Sequence, residues 1–242
     1  MNSIQRLISA IQRKGLMPAL QAFLNHLQGK YREFEIRRWY HMADISNKRF
    51  DMQHGVETHT MVEVADLNVD ASETSESNRF QSIHEGLFEK AFRHLQIDHS
   101  EFFFVDFGSG KGKALLLASR YPFKRIVGVE FSAELCQTCR RNLDLFTSPD
   151  QKSKAFEVSH VNAGHYEPLL EPSVFFFYNP FRGALMQNVL EHIASSLRVH
   201  PRPAWIIYCN PDCASLVDSL EMFEPVASGK RFRIWRARAP AS

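Results

Sequence analysis

The chain has 242 residues, of which 44% are hydrophobic and 23% charged, a composition ordinary for a globular protein with one main domain and an extension. Its 29 basic and 27 acidic side chains give a formal charge of +2, which excludes the clear basic excess of most nucleic-acid-binding proteins. No apolar run reaches the roughly 18 residues that cross a bilayer, and four cysteines do not form a disulfide framework in a chain this long, so we expect a cytoplasmic location.

Residues 1–78 are predicted to form a helical extension that ends in a lid-like loop. Apolar residues at the spacing of one helix face indicate two helices, with Ile4, Leu7, Ile8 and Ile11 in the first and Leu20, Phe23, Leu24 and Leu27 in the second. Residues 46–65 are predicted to be irregular, and Asp66–Asn78 to be a surface loop. Residues 1–32 carry basic side chains and no acid. They either pack on the next domain or contact a membrane surface or a partner.

Residues 79–242 alternate between strand and helix patterns. Strands are predicted at Glu101–Phe107, Arg125–Phe131, Ala155–Val161, Val174–Tyr178, Ala204–Cys209 and Arg231–Arg236. Helices are predicted at Ile83–Leu95, Lys113–Arg120, Ala133–Phe146 (after the N-cap Ser132), Ala184–Leu197 and Cys213–Met222. This alternation predicts an α/β fold with a doubly wound, mostly parallel sheet and an antiparallel C-terminal strand. Ligands of such folds bind at the carboxyl ends of the strands.

A glycine-rich segment follows the first of these strands. Gly108, Gly110 and Gly112 have the spacing G-x-G-x-G, with an acid, Asp106, two residues upstream. A phosphate-binding P-loop is excluded because Gly110-Lys111 is followed by glycine rather than by serine or threonine. A dinucleotide fingerprint is excluded because Lys113 stands where that motif requires glycine or alanine.

An acid also ends the second strand. Glu130 comes 18 residues after Gly112, where a carboxylate can accept hydrogen bonds from both hydroxyls of a ribose and would repel a 2′-phosphate. The alternative is an acid that only stabilises the N-terminus of the following helix. The predicted strand, the spacing and the preceding glycine loop all favour the interpretation that Glu130 binds a ribose.

The segment Asp106–Gly112 resembles the S-adenosylmethionine (SAM) motif of class I methyltransferases, D/E-x-G-x-G-x-G. The resemblance implies a Rossmann-like seven-stranded sheet, SAM as cofactor, and a glycine loop beside the methionine part of SAM. Asp106 would order the loop or reach the SAM amino group through water. The cofactor-binding residues expected on this basis are Asp106, Gly108, Ser109, Gly110, Gly112, Glu130, Phe131 and Asn162.

Asn162 follows the third strand, where the resemblance implies an acid or amide that faces the adenine amino group. An ordinary loop asparagine is the alternative at this position. His165 and Tyr166 would flank the adenine.

The fourth strand ends in Asn179-Pro180-Phe181, which resembles the [D/N]-P-P-[Y/F] motif of amino-group methyltransferases with one proline fewer. The resemblance implies that these three residues are catalytic. The Asn179 oxygen and a backbone carbonyl would accept hydrogen bonds from a substrate amino group, and the Phe181 ring would shape its pocket. The alternative is a plain turn, because Asn-Pro commonly starts one.

A wider resemblance, to a bacterial family of methyltransferase-domain proteins without an established acceptor, extends from Phe50 to Trp235. By analogy with lids of this fold, the segment around Gly55 and Thr58 would fold over the cofactor. No metal site is expected, because structural zinc requires four ligands that converge tetrahedrally, whereas Cys136 and Cys139 lie on a predicted helix and Cys209 and Cys213 come later in the chain.

These features predict an enzyme that transfers a methyl group from SAM to a nucleophile, with nitrogen favoured. A protein side chain or a small molecule is the expected acceptor, and nucleic acid is disfavoured by the balanced charge. The alternative is a non-catalytic protein that binds SAM or a nucleotide and uses its basic N-terminal helices to contact a partner.

Overall fold

The computed structural model describes residues 16–60 and 81–238. The chain divides into two compact units, of which the first ends at Ile45 and the second begins at Ser46. The sequence analysis placed its boundary later, after residue 78. The predicted loop Asp66–Asn78 and the predicted helix face at residues 4–11 lie outside the described residues.

The first unit contains the N-terminal part of one long helix, α1, which runs through Leu16–His54. Pro18 lies in its first turn, where a missing backbone N–H removes no intrahelical hydrogen bond. The prediction of irregular structure was wrong for residues 46–54, which continue the helix. The chain has no glycine or proline between Gly29 and Gly55, and Gly55 ends the helix with a φ of 68°.

The second unit alternates strands and helices near the predicted bounds. Its helices are α2 (Glu85–Phe92), α3 (Lys113–Ala118), α4 (Ala133–Leu145), α5 (Gly183–Val199) and α6 (Ala214–Asp218). Its strands are β1 (Phe103–Phe107), β2 (Arg125–Glu130), β3 (Phe156–His160), β4 (Ser173–Tyr178), β5 (Ala204–Cys209), β6 (Phe223–Gly229) and β7 (Phe232–Ala237). Within the described part of the chain, no helix combines the length and the apolar character that a membrane span requires.

The seven strands form one sheet in the order β3-β2-β1-β4-β5-β7-β6. Strands β1 to β5 run parallel, and β7 is antiparallel to both β5 and β6. The predicted mostly parallel sheet is confirmed, and its strand order is that of the Rossmann-like class I methyltransferase fold. The order reverses between β1 and β4, so the ligand crevice is expected at the carboxyl ends of those two strands.

Strand β6 is the one that the sequence analysis did not place. Pro225 argues against a strand, because proline cannot donate a hydrogen bond to a neighbouring strand. In the structure β6 lies at the edge of the sheet, and its register with β7 shifts between Pro225 and Ala227. An edge position and a bulge together accommodate the proline.

Aromatic side chains fill both faces of the central strands. Phe175, Phe176 and Phe177 of β4 are fully buried, so this strand is covered on both sides of the sheet. The ring of Phe176 lies 5.5 Å from that of Phe104, and the ring of Phe177 lies 5.0 Å from that of Phe107. This packing holds the carboxyl ends of β1 and β4 at a fixed separation.

Candidate cofactor and acceptor site

The loop between β1 and α3 turns sharply because its three glycines adopt left-handed backbone conformations. Gly108, Gly110 and Gly112 have φ angles of 74°, 52° and 86°, which side-chain-bearing residues rarely adopt. The amides of Gly108 and Ser109 both donate hydrogen bonds to the carbonyl oxygen of Val129, at 2.9 and 3.1 Å. The glycine loop is thereby attached to the neighbouring strand β2.

The carboxylate of Glu130, at the end of β2, lies directly against the glycine loop. Its Oε2 accepts a hydrogen bond from the Gly110 amide at 2.9 Å, and its Oε1 accepts one from the Ser132 amide at 3.0 Å. Burial raises the pKa of Glu130, although these amides act in the opposite direction. A carboxylate offers about four lone-pair sites, so acceptor capacity remains for ribose hydroxyls. The contact of Glu130 with a cofactor stays a prediction.

Asp106, near the end of β1, is a second buried carboxylate. It is 3% exposed, and none of the described residues donates a hydrogen bond to its side chain. Burial, and then the negative charge of Glu130, raise the pKa of Asp106 well above its ordinary value. The charge of His160 acts on the pKa of Glu130 in the opposite direction to burial. Two buried acids so close together are nevertheless suited to a positively charged ligand that carries hydrogen-bond donors.

The glycine loop also packs against the loop that follows β4. A Cβ built on Gly108 would lie only 2.4 Å from the Cβ of Pro180, so a glycine is required for the two loops to approach this closely. The structure therefore brings the two sequence motifs together at the carboxyl ends of β1 and β4. The sequence analysis assigned both loops to the site, but it could not predict how close together they lie.

Two glycines allow further close contacts around the loop. A Cβ on Gly128 would lie 2.7 Å from Ser109 Oγ, and one on Gly112 would lie 2.5 Å from the Sγ of Cys139. Ser109 Oγ is buried and has no hydrogen-bond partner among the described residues. The sequence analysis missed Gly128, although a glycine inside a β-branched strand often marks such an approach.

In the described part of the chain, no three His, Cys, Asp or Glu side chains are grouped to hold a metal ion.

Both polar atoms of the Asn179 side-chain amide form hydrogen bonds. Its Nδ2 donates a hydrogen bond to Asp212 Oδ2 at 2.7 Å, and its Oδ1 accepts one from the Tyr208 hydroxyl at 3.1 Å. Burial raises the pKa of Tyr208, which keeps that hydroxyl protonated as a donor. These contacts fix the amide orientation. The sequence analysis missed Tyr208 and Asp212, and the only available signal was their place at the end of β5, next to β4 in the sheet.

Phe181 lies in the loop that follows β4, and its side chain is directed into the core. Its side chain is 4% exposed and its ring packs edge-on against Phe177 at 6.3 Å. The ring anchors the Asn179-Pro180 turn to the core. Contact between Phe181 and an acceptor stays a prediction.

Asn162 follows β3 and begins a short 3-10 helix, Ala163–His165. Its Oδ1 accepts a hydrogen bond from the Gly164 amide at 2.9 Å, which is the ordinary structural use of an asparagine in a loop. The oxygen has a second lone pair, and its contact with adenine stays a prediction.

The aromatic residues near the end of β3 differ in exposure. Phe131 is partly buried, and its carbonyl lies 2.9 Å from Nε2 of His160. Tyr166 is buried and packs edge-on against Phe107 at 5.6 Å, whereas His165 is exposed. Their contacts with a cofactor stay predictions.

Residues 46–60, here called the strap, comprise the end of α1 and the extended segment after it. Asp51 closes the strap on itself. Its carboxylate accepts hydrogen bonds from the Thr58 amide and hydroxyl, both at 2.6 Å, and from the His59 amide at 2.8 Å. The His59 ring Nδ1 lies 2.8 Å from the same carboxylate.

Asn142 of α4 joins the strap to the glycine loop. Its Nδ2 donates to the carbonyls of Glu57 and Lys111, and its Oδ1 accepts from the Glu57 amide, all at 2.9 Å. The Glu57 carboxylate forms ion pairs with Lys111 at 2.6 Å and with Arg141 at 3.1 Å. The strap therefore lies against the loop, while its closure over a cofactor stays a prediction.

Lys113, the first residue of α3, provides a second attachment. Its side chain is 2% exposed, and its Nζ donates to Asn47 Oδ1 at 2.6 Å and lies 4.4 Å from the centre of the Phe50 ring. Burial lowers the pKa of Lys113 to about 8, although the charge of Asp51 opposes this shift. The sequence analysis noted Lys113 only as a departure from the dinucleotide fingerprint.

No family model and no curated protein matches this chain. Precorrin-6y C5,15-methyltransferase from Geobacter metallireducens matches at 15% identity and a TM-score of 0.48, over 72% of this chain and 97% of its own. An RNA methyltransferase from Salinibacter ruber in complex with S-adenosyl-L-homocysteine matches at 16% identity and a TM-score of 0.43, over 65% and 92%. The 23S rRNA methyltransferase ErmE matches at 14% and 0.45, over 67% and 70%. Identities and TM-scores this low carry no conclusion about activity or acceptor.

Proposed function

We propose that this chain is a SAM-dependent methyltransferase that acts on a nitrogen nucleophile. The observation that carries the proposal is that the segments after three strands, β1, β2 and β4, contact one another at one edge of the sheet. The Glu130 carboxylate accepts from the Gly110 amide, and the same glycine loop packs against Pro180 through Gly108. A cofactor site and an acceptor site are thereby adjacent, as group transfer requires.

The residues present fit the chemistry of the cofactor. SAM carries positive charge on its sulfonium and amino groups, whereas Asp106 and Glu130 are buried acids whose pKa values are raised. A bound cation would relieve the cost of these two buried charges. Asp106 would hold the SAM amino group, Glu130 the ribose hydroxyls, and the loop Gly108–Gly112 the methionine part.

When bound, SAM supplies an electrophilic sulfonium methyl group, which an acceptor lone pair takes while sulfur leaves as the thioether of S-adenosylhomocysteine. The protein then has to align the acceptor and exclude water. Alignment of this kind can contribute roughly 7–11 kcal/mol. The tight packing of Gly108 against Pro180 is what holds the two halves of the site in register.

Asn179 and Asp212 support an amine as acceptor. The Asn179 oxygen accepts from the Tyr208 hydroxyl, and a carbonyl oxygen has two lone pairs, so in this proposal it also accepts from a substrate N–H. The exposed Asp212 carboxylate, next to that amide, supplies the negative charge that attracts an alkylammonium group and can take the proton that the amine must lose.

The cofactor half is tested by calorimetry with S-adenosylhomocysteine. Glu130→Ala should weaken binding at least about 30-fold, since hydrogen bonds to charged groups contribute about 1.5–3 kcal/mol each. Glu134→Ala, in the exposed first turn of α4, removes the same charge nearby and should leave affinity unchanged. Equal affinity in all three proteins would overturn the site.

The enzymatic half is tested with methyl-labelled SAM and a cell extract. The label should enter a fraction in a base-stable form, as N-methyl groups are and carboxyl methyl esters are not. Asn179→Ala should abolish this incorporation while it retains affinity for S-adenosylhomocysteine. Tight cofactor binding without any methyl transfer by the unaltered chain would instead identify a non-catalytic SAM-binding protein.

A further inference from the structure

The first unit of the chain carries a row of large apolar side chains with coiled-coil spacing. The row, here called the seam, consists of Met17, Leu20, Leu24, Leu27, Tyr31 and Phe34 of α1. Its members follow one another at alternating intervals of three and four residues, which defines the a and d positions of a heptad repeat. Met17, Leu24 and Tyr31 occupy a positions, and Leu20, Leu27 and Phe34 occupy d positions.

Every side chain of the seam is exposed. The exposed fractions range from 41% at Leu20 to 73% at Met17. Single exposed apolar residues are ordinary on protein surfaces, but a contiguous row about 27 Å long, at 1.5 Å per helical residue, marks an interaction surface.

The residues that flank the seam favour another helix as its partner. The e positions hold Gln21, Gln28 and Glu35. The g positions hold Phe23, Lys30 and Arg37. An apolar stripe that packs on a globular core is wider and includes e or g positions throughout, whereas a narrow a/d stripe is typical of a two-stranded coiled coil.

The charged residues beside the seam favour a second copy of the same chain, in parallel orientation, as the partner. In a parallel pair, a g residue faces the e residue five positions later on the partner helix, so Lys30 of each chain lies beside Glu35 of the other. In an antiparallel pair g faces g, and the basic residues Lys30 and Arg37 would repel each other. Glu35 is half-buried and also accepts a hydrogen bond from Tyr31 at 3.4 Å within its own helix.

We propose that the chain self-associates through this seam as a parallel two-stranded coiled coil. Apolar a and d side chains of the two copies pack in matching layers, and the two symmetric Lys30–Glu35 pairs set the register. The inference concerns the first unit alone and does not depend on the proposed methyltransferase activity.

Sedimentation equilibrium of the full chain at tens of micromolar tests association. The expected mass is twice the 27.9 kDa of one chain. Leu24→Glu combined with Leu27→Glu places charges in the seam and should yield a monomer. Ala22→Glu combined with Asn25→Glu adds the same charges at f and b positions of the same turns and should leave the dimer intact. A monomeric unaltered chain, or equal behaviour of the two double variants, would overturn the proposal.

Charge reversal tests the orientation. Lys30→Glu and Glu35→Lys should each weaken the dimer, and their combination should restore it. In a Cys213→Ser background, Leu24→Cys should form an interchain disulfide on mild oxidation, because identical a positions meet in a parallel pair. A dimer that the combined reversal fails to rescue, or that does not cross-link at position 24, contradicts the parallel arrangement. Circular dichroism melting confirms that each variant is folded.

Discussion

The backbone of Gly108 approaches the ring of Pro180 so closely that an added methyl group would lie 2.4 Å from the proline Cβ. This contact joins the loop that would hold the cofactor to the loop that would hold the acceptor. Because the two loops leave adjacent parallel strands of an aromatic core, a shift in one changes the geometry of the other.

Gly108→Ala should therefore impair both stability and binding. Alanine adds left-handed strain and a steric clash, which together cost about 1–3 kcal/mol of unfolding free energy. Displacement of the loop should weaken S-adenosylhomocysteine binding at least about tenfold, a loss of about 1.4 kcal/mol. Denaturant unfolding and calorimetry provide the two readouts.

Gly29→Ala is the matched control for that substitution. A Cβ at Gly29 meets nothing within 4 Å, and alanine in a helix interior is favoured over glycine by about 1 kcal/mol. The control should be as stable as the unaltered chain or more so, with the same affinity. If both variants bind normally, the tight contact at Gly108 has no role in the site.

Asp106→Asn should stabilise the ligand-free protein at neutral pH and weaken cofactor binding. Asp106 has a folded pKa well above its ordinary 3.8, so it holds its proton more tightly when folded, and its contribution to stability is lost as pH rises above that ordinary value. The difference in melting temperature between variant and unaltered chain should grow as pH rises from 4 towards 8. Melting curves at a series of pH values measure it. A constant difference across this range would show that burial of the Asp106 charge carries no cost.

Asn142→Ala should detach the strap from the glycine loop. The change removes the hydrogen bonds from Asn142 to the amide and carbonyl of Glu57 and to the carbonyl of Lys111, at about 1–3 kcal/mol for each group that water cannot reach. Hydrogen exchange of the Glu57 amide should accelerate, and the unfolding free energy should fall.

Arg141→Ala is the control for the strap prediction. It removes an exposed ion pair with the same Glu57, and such pairs contribute about 0–1 kcal/mol. Similar losses in the two variants would mean that the buried amide does not hold the strap.

Lys113→Met should alter the dependence of stability on alkaline pH. The folded pKa of Lys113 is lowered to about 8 from 10.5, so between these values the unfolded chain binds the proton more tightly than the folded one. The contribution of this group to stability therefore rises with pH across that window, by up to about 3 kcal/mol. Urea unfolding at several alkaline pH values should show this rise in the unaltered chain and its loss in the variant. Parallel curves would contradict it.

Local patterns in the sequence were sufficient to predict most of the second unit. Strands such as Ala204–Cys209 and the helix cap at Ser132, whose Oγ accepts from Leu135 N at 3.3 Å, depend on neighbouring residues and on hydrophobic period. The glycine loop was recognisable for the same reason, because left-handed backbone angles require glycine at set positions. The continuation of α1 through residue 54 was missed although Gly55 marked its end.

Only the tertiary structure shows which residues complete the site. Tyr208 lies 29 positions from Asn179 in the sequence, and Asn142 lies 85 positions from Glu57, so no local periodicity relates the members of either pair. Their meeting depends on the strand order of the sheet and on how helix and strap pack against it. The sequence by itself determined most helices and strands of the second unit, the glycine turn, and the edge of the sheet where chemistry is expected. Only the folded structure decided which side chains meet there, because contacts between distant segments are set by packing rather than by spacing.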